Sequence, residues 1–182
     1  MDTRADVCTA LLAATPQAPM ALGSEPSTGI YAWWDVGAAL APHYPADFPR
    51  VDAVRPLYIG VAQRQSLAAR GLKMHLKRTR VSGLRRSLAA LLREELDLSA
   101  QVIPARGGMF GLTAAGDAVL TDWMLRHLRV TWVAHPVPKN IERVIVEAEV
   151  PPLNYTHATR GPYATHMRAL RADLRALGMI GP

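Results

Sequence analysis

Two short runs, Thr28 to Val36 (TGIYAWWDV) and Arg55 to Ala62 (RPLYIGVA), carry the β-branched and aromatic residues that suit a pleated strand. Four prolines fall from Pro42 to Pro56, three of them between the runs and the last at the head of the second. Proline fixes φ and removes a backbone donor, so this connection reads as a loop with at most one short helical turn. The two runs therefore pair as a long-looped antiparallel hairpin. Each sets a tyrosine close to a glycine: Gly29-Ile30-Tyr31 in the first, Tyr58-Ile59-Gly60 in the second. A third strand, RVTWVAHPV from Arg129 to Val137, ends where Pro136 and Pro138 withdraw donors.

Helical signals fill most of the remainder. The first residues set two Asp, Asp2 and Asp6, against one Arg, Arg4, which is wrong for a secretory signal, and read as a helix from Thr3 to Ala14. Ser66 caps a helix toward Lys77, and Ser82 caps a second. In that second helix Leu84, Leu88, Leu91, Leu92 and Leu96 form a core-facing stripe, with Arg85, Arg86 and Arg93 off it. SAQVIPARGGMFG, with its glycines and Pro104, reads as a loop. Thr113 caps a helix running through Leu120, Trp123 and Met124 to Leu128. A C-terminal helix, about 165–177, has Met167, Leu170, Leu174 and Leu177 on one side and Arg168, Arg171 and Arg175 on another, with Gly178 as its stop. From 140 to 150 two periods fit: Ile141, Val144, Ile145 and Ala148 for a helix capped by Asn140, or Val144, Val146, Ala148 and Val150 for a strand.

At 182 residues the chain has the length for one sizeable core, and is expected to form one domain over 1–182. Its apolar runs fall far short of a membrane span, and one cysteine, Cys8, excludes an internal disulfide or a multi-cysteine metal site. A bacterial-type cytoplasmic protein is the expectation. The net charge of +6 is concentrated: Arg64 to Arg93 holds nine basic residues and no acid, leaving the rest at −3. Such a segment suits a phosphate backbone, although a solvated helix face accounts for it equally well. Lys73, Lys77, Arg78, Arg80, Arg85 and Arg86 are its candidate nucleic-acid contacts. The six histidines show no metal-ligand spacing, and there is no P-loop lysine pair or nucleophile elbow.

Singly, the remaining polar residues have plain structural readings. Tyr31 and Tyr58 can pack at a sheet rim, Arg70 can be a solvated helix residue, and Glu142 suits the first turn of a helix. As an ordered set they say more. Gly29-Ile30-Tyr31, Tyr58-Ile59-Gly60, Leu67-x-x-Arg70, His75, Glu142 and the Pro-x-Asn ending at Asn154 resemble the GIY-YIG nuclease superfamily, over roughly Gly29 to Asn154. RRSLAALLREEL and LTDWMLRHLRVTW look like a group of stand-alone bacterial members.

The resemblance implies an α/β (α+β) fold, a small three-stranded antiparallel sheet flanked by helices, with a core over about 28–155. It settles 140–150 as helix. It implies an endonuclease hydrolysing DNA, with RNA also open as substrate, acting as monomer or homodimer with Mg²⁺ or Mn²⁺. Tyr31 or Tyr58 would activate water, Arg70 and His75 would hold the phosphate, and Glu142 would hold the metal. Gly29, Gly60 and Asn154 would support the backbone. Two departures stand out. His75 follows Arg70 by five residues where members usually show four, and five residues of ideal α-helix is a rotation of about 140°. Val61 occupies a position where many members carry lysine, so Arg70 or Lys73 would have to supply that cation. Val61 also keeps a second expectation open, a degenerate nucleic-acid-binding module without cleavage.

Overall fold

The computed structural model describes residues 3–49, 54–103, 109–154, 156–158 and 162–179. Among them the strands are β1 (Gly29–Asp35), β2 (Tyr58–Ala62), β3 (Ala100–Ile103), β4 (Met109–Leu112) and β5 (Leu128–Ala134). The α-helices are α1 (Arg4–Ala13), α2 (Met74–Lys77), α3 (Gly83–Leu91), α4 (Ala114–His127), α5 (Lys139–Glu149) and α6 (Pro162–Met179), and a π-helical stretch, Ala68–Lys73, runs directly into α2. Side-chain oxygens of Thr3, Ser82 and Thr113 accept backbone N–H bonds at the starts of α1, α3 and α4. No helix among the described residues is long and apolar enough to cross a membrane.

The main sheet is antiparallel in the order β2–β1–β5. Its central strand, β1, is buried at all seven positions because both faces are covered. Ile30, Ala32 and Trp34 face Val7 and Leu11 of α1 and Ile141, Ile145 and Val146 of α5. Tyr31 and Trp33 face the opposite way, into a larger core with Leu67, Leu84, Leu88 and Met124. Each fully buried side chain of this size contributes about 1.5–3 kcal/mol. One face thus carries an apolar core. The other interleaves its leucines with the polar residues of the motif.

Three expectations are corrected. The segment around 98–111 contains an antiparallel pair, β3 with β4, in which Val102 sits opposite Phe110. Four-residue strands are too short to display alternation, and the glycines and Pro104 mark only the connection; residues 104–108 lie outside the described residues. Asn140 is inside α5, whose N-cap is Pro138, and that helix ends at Val150, in a left-handed conformation (φ 46°) just before Pro151. Gly178 does not stop α6 but lies within it. A Cβ there would come 2.7 Å from the Ala100 carbonyl oxygen, so its smallness lets β3 pass.

Candidate active site

The register of β1 on β2 sets Tyr31 opposite Gly60 and Trp33 opposite Tyr58, which puts both tyrosines on one face of the sheet in diagonal positions. Gly60 is required by close approach: a Cβ there would lie 2.5 Å from the Tyr31 hydroxyl. The absent side chain lets the Tyr31 ring cross under β2.

Beneath the tyrosines lies His75, fully buried, its ring edge-on to Tyr31, Trp33 and Tyr58 at centroid separations of 5.5, 6.0 and 5.5 Å. Its Nε2 is 2.8 Å from the Tyr31 hydroxyl and its Nδ1 is 2.7 Å from Ser82 Oγ, which also accepts the Arg85 backbone N–H. Burial, reinforced by Arg70 and Arg85, pushes the imidazole down to about 3, so it is neutral, with one donor and one acceptor matched to two hydroxyls. Burial likewise holds the Tyr31 phenol well above its ordinary value. His75 is thus bonded inside the protein to Tyr31 and Ser82 and lines neither cavity at Tyr58, whereas the sequence expectation set it on the phosphate. The odd spacing is resolved by the π-helical stretch, where the Met74 N–H bonds to the Ala69 carbonyl five residues back. One extra residue per turn brings position 75 back toward position 70, as an α-helix would bring position 74.

Tyr58, only partly buried, lines a cavity of about 230 Å³ together with Arg70, Arg86, Glu142, His157 and Arg171. Arg70 and Glu142 also line a second cavity of about 480 Å³, with Arg64 and Lys139, so these two residues stand where the hollows meet. Tyr58, Arg70, Arg86, Glu142 and Arg171 come from β2, the π-helical stretch, α3, α5 and α6 respectively. Burial raises the Tyr58 phenol above its ordinary value; Arg70, Arg86 and Arg171 pull the other way, and Glu142 adds to the rise. Burial raises Glu142 too, opposed by His157, Arg70 and Lys139. The Arg70 guanidinium donates to Met74 Sδ at 2.6 Å, which orients it along its own helix.

Asn154 acts on the backbone. Its Oδ1 accepts the Ile59 N–H at 2.8 Å and its Nδ2 donates to the Ile59 carbonyl at 2.9 Å. The amide pairs with the open edge of β2 as a neighbouring strand would, and it fixes the strand that carries Tyr58.

The basic segment does not form one surface. Arg85 is fully buried and unavailable to nucleic acid: it pairs with Asp117 at 3.0 Å and donates to the carbonyls of His75 and Asp117 and the hydroxyls of Thr79 and Thr121. Lys77, Arg78 and Arg80 border hollows around Asp117, and exposed Lys73 lines neither cavity at Tyr58. Only Arg86 of the six basic candidates reaches the cavity. Two cavity residues escaped the sequence reading, Arg171 and His157. The basic side of the C-terminal helix was visible, but nothing in it distinguished Arg171 from Arg168 or Arg175.

Among the described residues no group of three or more His, Cys, Asp or Glu gathers. The donor available at the junction of the cavities is the Glu142 carboxylate, which accepts no hydrogen bond from a described residue. A carboxylate facing cavities of about 230 and 480 Å³ fits a small hard cation that keeps most of its own waters.

A search of curated proteins gave no match, and a search of solved structures gave none either. A family model described as the GIY-YIG catalytic domain matches residues 29–175, from the first glycine of β1 into α6. With the sheet order, the paired tyrosines, and Arg70 and Glu142 meeting at one hollow, the match shows that the chain belongs to the GIY-YIG nuclease family.

Proposed function

We propose that this nuclease is a divalent-metal-dependent endonuclease acting on DNA, with Tyr58 as the group that takes a proton from the attacking water. The observation that carries this reading is the convergence of Tyr58, Arg70 and Glu142 on one cavity, while Tyr31 is turned away and bonded to His75. Arg70 would hold the scissile phosphate, where a planar guanidinium matches two phosphate oxygens. Glu142 would hold Mg²⁺ or Mn²⁺, which when bound supplies neutralisation of the charge that develops on the phosphate. Tyr58 rests as a neutral phenol, because burial outweighs its cationic neighbours; the base is the fraction that has first released its own proton to solvent, and Arg70, Arg86 and Arg171 favour that phenolate, which then takes the proton of the attacking water. Tyr31, His75 and Ser82 hold the floor on which Tyr58 rests. Val61 lines the larger hollow without charge, and the cations facing Tyr58 are Arg70, Arg86 and Arg171.

The test is cleavage of plasmid and branched DNA with Mg²⁺ or Mn²⁺, wild type beside Glu142→Ala. Metal-dependent cutting that disappears in the variant is expected. Wild-type protein that binds DNA and cuts none of these substrates would favour a binding module instead.

A further inference from the structure

The smaller cavity holds more positive charge than one scissile phosphate uses. Arg70 and Glu142, shared with the larger cavity, mark the reacting position. Arg86 and Arg171 line only the smaller one, beyond Tyr58. They come from different helices, α3 and α6, that pack on each other. Arg86 is held in place, its Nη1 donating to the Arg80 carbonyl at 2.9 Å. It is also largely out of water, and burial lowers its pKa; a cation in that setting is stabilised by an anion. The first residue of α3 lies beside the same space: a Cβ at Gly83 would sit 3.9 Å from the Tyr58 hydroxyl. The positive end of a nine-residue helix therefore adds to the two guanidiniums.

We infer that Arg86 and Arg171 form a second phosphate site, which takes the phosphate next to the scissile one on the same strand. The strand then runs along the joined cavities, with its reacting phosphate at Arg70 and Glu142 and its neighbour clamped between α3 and α6. Arg64 and Lys139 stand on the other side of the reacting position, where the strand continues into the larger hollow. The site makes α6 part of the substrate groove. The inference rests on the nuclease reading for the identity of the reacting position, but not for the existence of the second site.

The experiment is a neutral-phosphate scan. DNA duplexes with a methylphosphonate at one position at a time are bound to Glu142→Ala protein and to the same protein carrying Arg171→Gln. In the first protein one flanking position is expected to weaken binding about tenfold, the size of one charge-assisted contact. With Arg171→Gln the unmodified duplex is expected to bind about tenfold more weakly, and the modification at that position to cost nothing further. A full penalty at every position in the Arg171→Gln protein would overturn the site. Arg86→Gln gives the same cycle if Arg171→Gln fails to fold. A methylphosphonate at the outermost internucleotide linkage of the duplex is expected to have no effect; loss at that linkage alone would overturn the internal placement. Absence of cleavage by wild type with the scan intact would sink the nuclease reading and leave this site standing, and cleavage with an unchanged scan would do the reverse.

Discussion

Tyr31 and Tyr58 share a sheet face and adjacent strands, yet their surroundings are opposite. Tyr31 is fully enclosed, and its hydroxyl belongs to a chain of neutral partners running through His75 to Ser82. Tyr58 borders a hollow with three arginines and a carboxylate. Along that chain the Tyr31 hydroxyl, both His75 nitrogens and the Ser82 hydroxyl bond one another, which leaves the imidazole no capacity for a substrate. Where charged side chains line a cavity, they stand within reach of a bound molecule. The largest expected effect follows from that contrast. Tyr58→Phe should lower kcat/KM about 10³-fold, roughly 4 kcal/mol of transition-state stabilisation, and leave thermal unfolding nearly unchanged. Tyr31→Phe should do the opposite. It strips a partner from buried His75, costing about 1–3 kcal/mol of stability, with activity falling within about tenfold. Equal rate losses in the two variants would break the division between a holding and a reacting tyrosine.

Arg85 and Arg86 repeat the comparison one residue apart. Arg85 ties α3 to α4 and to the end of α2 through Asp117, Thr121 and the His75 carbonyl. Removing it leaves Asp117 without its cationic partner, with only Thr79 still donating to it, so Arg85→Ala should cost about 3–5 kcal/mol in urea unfolding. Arg86→Gln should cost far less stability and act mainly on substrate. Comparable destabilisation in both would mean that the arginine facing the cavity is structural as well.

The family pattern was legible because its residues meet geometric demands that sequence order preserves. Tyr31 and Gly60 are named together in the motif because one crosses over the other. Asn154 was readable as a backbone support, and its paired bonds to Ile59 are of that kind. The placement of Arg85 was not readable: on a helical wheel it lies off the leucine stripe, and only the packing of α4 shows that this side is also buried. His75 is out of phase with Arg70 on an ideal α-helix, and only the π-helical winding, which spacing does not reveal, absorbs the extra residue. Arg171 is more than a hundred residues from Arg70, and no spacing rule links them. The β3–β4 pair was missed for want of length.

A smaller effect sharpens the same contrast through pH. His75 drops from an ordinary value of 6.5 to about 3 in the folded protein, held neutral among Tyr31, Trp33, Tyr58 and Ser82 with Arg70 and Arg85 nearby. Between those values the unfolded chain binds a proton that the folded chain refuses, so acidification favours unfolding. Above pH 6.5 the residue contributes no pH dependence. From pH 6.5 down to about 3 its contribution is lost steadily, and by pH 5 the loss is about 2 kcal/mol. His75→Gln should start from a lower stability but lose about 2 kcal/mol less between pH 7 and pH 5 in matched urea titrations. The rate should follow Tyr58 instead: because its phenol is raised, cleavage should climb from neutral toward alkaline pH until Tyr58 is ionised. Parallel slopes for His75→Gln and wild type in acid would show that this imidazole carries its charge after all.

The smallest expected effect separates charge at the cavity from charge elsewhere on the same segment. Lys77 and Arg78 are exposed and border the hollow around Asp117, whereas Arg70 lines both cavities at Tyr58. A phosphate contact contributes about 0.9 to the slope of log K against log salt. Arg70→Gln in the Glu142→Ala protein should flatten that slope by about this amount. Lys77→Gln and Arg78→Gln should change it by much less, since a screened surface charge farther than a Debye length of about 8 Å from the strand releases no counterion on binding. A slope that falls equally for all three would extend the groove around α2 and replace the narrow cavity with a broad basic surface, and the arginines of α3 and α6 would then lose their distinction from the rest of the segment.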